Sequence, residues 1–343
     1  MLLCRLAENA YWMGRYLERA EDLARAMLAY EEIRLDLPGQ RAPGWRRLAS
    51  LTGVTSAEAA HLSPAAFAAR VVIERGNPSS VLGAVHAARE NLRRARALFP
   101  AECWHTLNAL HLRLSALHAE APPAVLRESL ELVVCACREL AGHVAAGMLR
   151  DDLHAFLRLG FHLERADMTL RVATIVADSL IPQDGGAPFE DVRWIGLLKS
   201  VGAYGTYRHR YHAATDFPRA LELLLSDPKF PRSFAHVTAE VERDLARLPA
   251  SEAAREALEA CRAMEPARSR AALPAFAKNV LERLAHLSAV LESSYFVSSP
   301  AVLDSSSNCD ATGAAPPRVH QRHLSGANED HREEPEAQAA ARL

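Results

Sequence analysis

Along most of this chain apolar residues recur at alternating spacings of three and four, the period of a helix with one buried face. In the first segment Leu3, Leu6, Ala10, Met13, Leu17, Ala20, Ala24 and Met27 form one continuous seam. The seam predicts a helix from about Leu6 to Leu35, stopped by Pro38 and Gly39. Further starts are marked by proline or a capping residue: Asn77 before Pro78, Pro100, Pro122 to Ala124, Asp151, Pro231 and Ser251. A last helix carries Ala277, Leu281, Leu284, Leu287 and Leu291 and should end near Phe296. No period-two alternation is sustained, and no Asn-Gly or Asp-Gly turn joins two β-branched runs. The expectation is an all-α, multi-helix bundle over residues 1–297. Loops rich in Gly and Pro fall at 37–44 and 181–188, and the second offers a division into halves 1–180 and 189–297. From 298 to 343 large apolar groups are few, so this tail is expected to be disordered.

The chain contains an internal duplication. GRYLERAEDLAR at Gly14 to Arg25 aligns without a gap with GFHLERADMTLR at Gly160 to Arg171. The Glu-Arg dipeptide alone carries little, because it also occurs at Glu74, Glu242 and Glu282. Spacing carries more. Gly14, Glu18, Glu21 and Arg25 are four, three and four apart, one stripe of a helix, and Gly160, Glu164, Asp167 and Arg171 repeat it. Each acid, Glu21 or Asp167, stands four residues before its arginine, the favourable order for an ion pair within a helix. Arg19 and Arg165 are expected to point away from the stripe. Glycine costs about 1 kcal/mol in a helix interior relative to alanine, so its place in both copies implies close approach by another backbone or by a ligand.

Three readings of the paired stripes stand open. They form a semi-buried salt-bridge network across a pseudo-twofold axis. They line a cleft for a polar or charged ligand, with Glu18 or Glu164 as general base and Arg25 or Arg171 holding an anion. Or Glu18, Glu21, Glu164 and Asp167 cage a metal, which is disfavoured because neither copy has the Glu-x-x-His of di-iron bundles.

Composition narrows the classes. The 343 residues are 49% hydrophobic, enough to bury a sizeable core. A net charge of -2 from 40 basic and 42 acidic residues argues against nucleic acid or an anionic membrane as partner. Arg5 and Glu8 interrupt the start of the chain where a signal peptide needs an apolar run, so a cytoplasmic protein is expected. The six cysteines are dispersed apart from Cys135 and Cys137, which a helix points to different faces, and all six are expected to be buried free thiols.

Two further sites suggest anion recognition. Asn77 is placed as the N-cap of a helix that begins at Pro78, with Ser79 and Ser80 at its positive end and Arg89, Arg93 and Arg96 along one face. Pro231, Arg232 and Ser233 make a similar start. An ordinary cap and a solvated basic face are the preferred explanation of the first. His209 and His212 have metal-ligand spacing, but isolated pairs are usually surface histidines, and no metal site is expected. No phosphate loop, nucleophile elbow or His-Glu-x-x-His motif is present.

The segments AENAYWMGRYLERAEDLAR, NPSSV followed by AARENLRRAR, Trp104 with Asn108, LRLGFHLERADMTLR and FPRSF resemble the alpha-E domain family, whose all-helical domain has a repeated Glu-Arg motif. The likeness spans about Met1 to Phe296. One departure is Phe161, where the family's second motif often carries an arginine corresponding to Arg15. The resemblance implies a bacterial-type companion of a circularly permuted ATP-grasp protein, and often of a transglutaminase-like protein. Such ligases join a carboxylate to an amine through an acyl phosphate. The chain is thus expected to be a non-catalytic or substrate-presenting partner in peptide or amide-bond formation, with ATP and Mg on the ligase and no cofactor of its own. The alternative is an enzyme or small-molecule binder using the cleft between the two Glu-Arg helices.

Overall fold

The computed structural model describes residues 4–36, 48–180 and 190–296. Among them every regular element is helical: α1 (Cys4–Asp36), α2 (Ala49–Thr52), α3 (Ser56–His61), α4 (Pro64–Ile73), α5 (Val81–Ala95), α6 (Ala101–Ser115), α7 (Pro123–Gly147), α8 (Asp152–Leu180), α9 (Glu190–Ser200), α10 (Tyr204–Tyr211), α11 (Phe217–Leu221), α12 (Phe234–Leu245), α13 (Glu252–Arg262) and α14 (Leu273–Leu291). A π-helical turn at Glu292–Phe296 follows α14, so the last helix ends where its pattern predicts.

α1 forms the axis. Its seam residues Ala10, Met13, Leu17, Ala20, Ala24 and Met27 are all buried. α5, α7, α8 and α9 pack around it, which is why its polar residues are also withdrawn from solvent. α8 is its main neighbour and in turn carries α12 and α14. α9, which follows residues 181–188, packs on α1, so the described residues on either side of that segment share one core. The tail, 298–343, lies outside the described residues.

Two helix starts fall later than expected because a serine after the marked Asn77–Pro78 or Pro231 makes the cap. α5 begins at Val81, with the Ser80 hydroxyl accepting from the Gly83 amide at 3.0 Å. Asn77 instead closes a turn, accepting from the Ser79 amide at 2.9 Å and donating to the Thr52 carbonyl at 2.8 Å. α12 begins at Phe234, capped by Ser233 through the His236 amide at 3.0 Å.

The described cysteines are free: Cys103, Cys137 and Cys261 are buried, Cys4 is half-buried and Cys135 is exposed. Cys135 corrects the expectation of uniform burial, and the two-residue offset from Cys137 explains it. Cys309 lies outside the described residues. Among the described residues no helix is long and apolar enough to cross a membrane.

Candidate functional site

The two motif helices meet at their glycines. A Cβ on Gly14 would stand 2.3 Å from the Leu157 carbonyl oxygen, and one on Gly160 would stand 2.0 Å from that of Tyr11. The close approach is therefore made by backbone on both sides. It brings the two Glu-Arg turns within side-chain reach of each other.

At this crossing the copies exchange partners. Arg15 and Arg19 of α1 each donate a guanidinium Nε–H to Glu164 of α8, at 2.6 and 2.5 Å. Arg165 of α8 grips Glu18 of α1 with two bonds of 2.7 Å. Arg19 and Arg165, expected to point away, are thus the cross-helix partners. The helix twist sets them beside the stripe, where only a second helix reaches them. Within each copy the ion pairs follow the spacing: Glu21 accepts from Arg25 at 3.0 Å, and Asp167 from Arg171 at 2.5 Å. Glu18 and Glu164 are 1% and 0% exposed, so the network is a buried one.

The motif arginines are symmetric except at one position. Glu164 has two arginines from α1, whereas Phe161 leaves Glu18 only Arg165 from α8. Arg232, from the turn before α12, supplies the missing guanidinium, with Nη1 2.9 Å from Glu18. Arg232 also reaches Glu21 at 3.5 Å and donates to Asp22. Its role was not legible from local sequence, although its segment had stood out as an anion site. Arg232 does hold anions there, but they are carboxylates of this same chain.

Burial pushes the Glu18 carboxyl up, but Arg165 and Arg232 more than offset it and hold it at about 2. Burial likewise works against Glu164 ionisation, and Arg19 and Arg15 overcome it. A general base needs a pKa near the working pH. Both motif carboxylates are instead buried against arginines that hold them below the ordinary carboxylate range. Asp22 behaves in the opposite sense: burial pushes it up, Arg232 pulls it back, and nearby Glu18 and Glu21 add to the rise, leaving it at about 8. Its Oδ2 has no hydrogen-bond partner among the described residues. The sequence reading missed it.

The other candidates are largely occupied by internal bonds. Ser80 and Ser233 are buried caps. Arg89 donates to Asn108 at 2.8 Å and lies over Trp104, while Arg93 pairs with Glu90 at 2.9 Å. His209 lies on α10, but His212 is its left-handed C-cap, so the two rings do not share a helical face. Among the described residues no group of three His, Cys, Asp or Glu is arranged to hold a metal.

A cleft of about 500 Å³ is lined by α7, α8 and the α12 segment and, from the two Glu-Arg turns, by Glu18, Glu21 and Arg165.

No curated protein and no solved structure matches the chain. A family model named Alpha-E, described as a predicted alpha-helical domain with a conserved ER motif, matches residues 2–296. That span includes both Glu-Arg helices and every described element, and the chain belongs to the Alpha-E family.

Proposed function

We propose that this chain is a non-catalytic helical partner of a circularly permuted ATP-grasp carboxylate–amine ligase, working in peptide or amide-bond formation or modification. The observation that supports this reading is that the family's defining motif is spent inward. Glu18 and Glu164 are each held by two arginines and kept ionised, so the motif's chemistry serves architecture. A rigid body built this way suits holding a substrate carboxylate or amine against an enzyme that activates it. ATP and Mg act on the ligase, where phosphoryl transfer makes the acyl phosphate. A transglutaminase-like protein is a further partner in the same system, and the cytoplasm, where ATP is abundant, is the working compartment.

The test is co-purification with a cognate ATP-grasp protein, followed by ADP release with and without this chain across amino acids and short peptides. We expect a stable complex and a faster or more selective turnover. A chain that neither binds the ligase nor alters its turnover overturns the proposal.

A further inference from the structure

We propose that the cleft between α7, α8 and α12 binds a small organic anion, a carboxylate bearing a compact apolar arm. Its charged side comes from two helix faces. On and just before α8, Arg150, His154, Arg158, His162 and Arg165 follow at spacings of four, four, four and three. On α12, Glu240, Arg243 and Asp244 share another face, and Arg247 follows in the turn just after it. Arg158 ties the two together, donating its Nε–H to both Asp244 oxygens at 3.0 and 3.1 Å.

The facing wall is different. Ala141, Val144 and Ala145 of α7 bring only small apolar groups, and Phe161 joins them from α8. These short side chains leave the volume open. Its 500 Å³ is within the range of about 300–1,000 Å³ usual for organic ligands. An inorganic ion would leave most of it unfilled.

Positive charge and donors are in surplus. Glu18 is met by Arg165 of the cleft and by Arg232, and Glu21 by Arg25, the last two lying outside the lining. Glu240 and Asp244 are met by Arg158, with Arg243 also on Glu240. Arg150 and Arg247 remain at the exposed rim with no carboxylate partner among the described residues. His154 is buried, and its Nε2 accepts from Arg150. Its proton is therefore on Nδ1, which has no partner among the described residues. Buried His162 also has an unpartnered Nδ1. Burial and the neighbouring arginines keep both imidazoles neutral. They add hydrogen-bonding groups to a field that already favours an anion.

The inference concerns this chain alone and stands or falls without the ligase. Calorimetric titration of the full chain uses three probes: N-acetyl-L-leucine, its methyl ester and inorganic phosphate. Saturable binding is expected for N-acetyl-L-leucine, with the ester and phosphate each weaker by about tenfold or more, a loss of one strong contact. Arg247→Glu, at the exposed rim, and Ala141→Phe, which fills the apolar side, should each weaken binding by at least about tenfold with unchanged thermal unfolding. Arg262→Ala, which breaks the pair with Glu242 elsewhere, should leave it unchanged. No saturable binding up to about 10 mM overturns the proposal. So does equal binding of the ester, or of phosphate, or retention of full affinity in both cleft variants.

Discussion

At Glu18 and Glu164 the energetic issue is what remains when one charge is removed. A buried ion pair gains little over a well-packed apolar pair, but removing one partner strands the other in a low-dielectric interior at about 3–5 kcal/mol. Glu18→Gln is thus expected to destabilise by that amount, because Arg165 and Arg232 lose their shared anion. Denaturant unfolding checks it, and a variant as stable as the parent would show the network to be energetically idle. Asp22 and Glu18 then set opposite pH flanks. Asp22 has its folded pKa raised from 3.8 to about 8, so its stabilisation is complete below 3.8 and is lost as pH rises through 8. Glu18 is lowered from 4.5 to about 2, so its stabilisation is present above 4.5 and lost as pH falls through 2. Asp22→Asn should remove the alkaline fall, seen as a smaller stability difference between about pH 5 and pH 9, by roughly 1 kcal/mol or more. The stripe spacing predicted the Glu21–Arg25 and Asp167–Arg171 pairs because a single helix determines them. It could not predict Asp22's state, which depends first on its burial in the tertiary fold and then on Arg232, some two hundred residues away.

The helices themselves are legible wherever the apolar period is long. α1 and α14 follow from it, α1 running one or two residues beyond its predicted ends, while α7 and α8 begin where Pro122 to Ala124 and Asp151 mark a start. Short helix starts are less legible, since proline, asparagine and serine all signal them and only the three-dimensional turn decides which one caps. Asn77 was drawn off to the Thr52 carbonyl, leaving Ser80 to cap α5. The paired glycines are the element-scale device. Alanine at either position places a Cβ within 2.3 Å of a backbone oxygen of the other helix, which neither helix can yield without moving apart. Gly14→Ala and Gly160→Ala should each cost about 3 kcal/mol or more, well beyond the gain in helix propensity, and the thermal midpoint should fall accordingly. A neutral or stabilising effect would show that the crossing is looser than its geometry.

Across the whole molecule the duplication is completed by a segment outside it. Arg232 stands in for the arginine that Phe161 replaces, which binds the C-terminal part of the fold to the motif pair. Arg232→Met should cost about 3–5 kcal/mol by leaving the buried Glu18 carboxylate short of a cation. Adding Phe161→Arg to that variant should recover part of the loss if the two positions are equivalent. A double variant less stable than Arg232→Met would refute the equivalence.

The sequence by itself determined the all-helical class, the register of each long helix, the duplication and the pairs four residues apart. All of these depend on the period of one helix, a local property of the chain. Tertiary structure alone decided which helix faces which: that the glycines meet each other, that the arginines cross between copies, and that Arg232 completes the set. It also decided that the open cleft lies beside α7 and α12, because a cavity is what packing leaves unfilled between elements distant in sequence, and no helix carries that information alone.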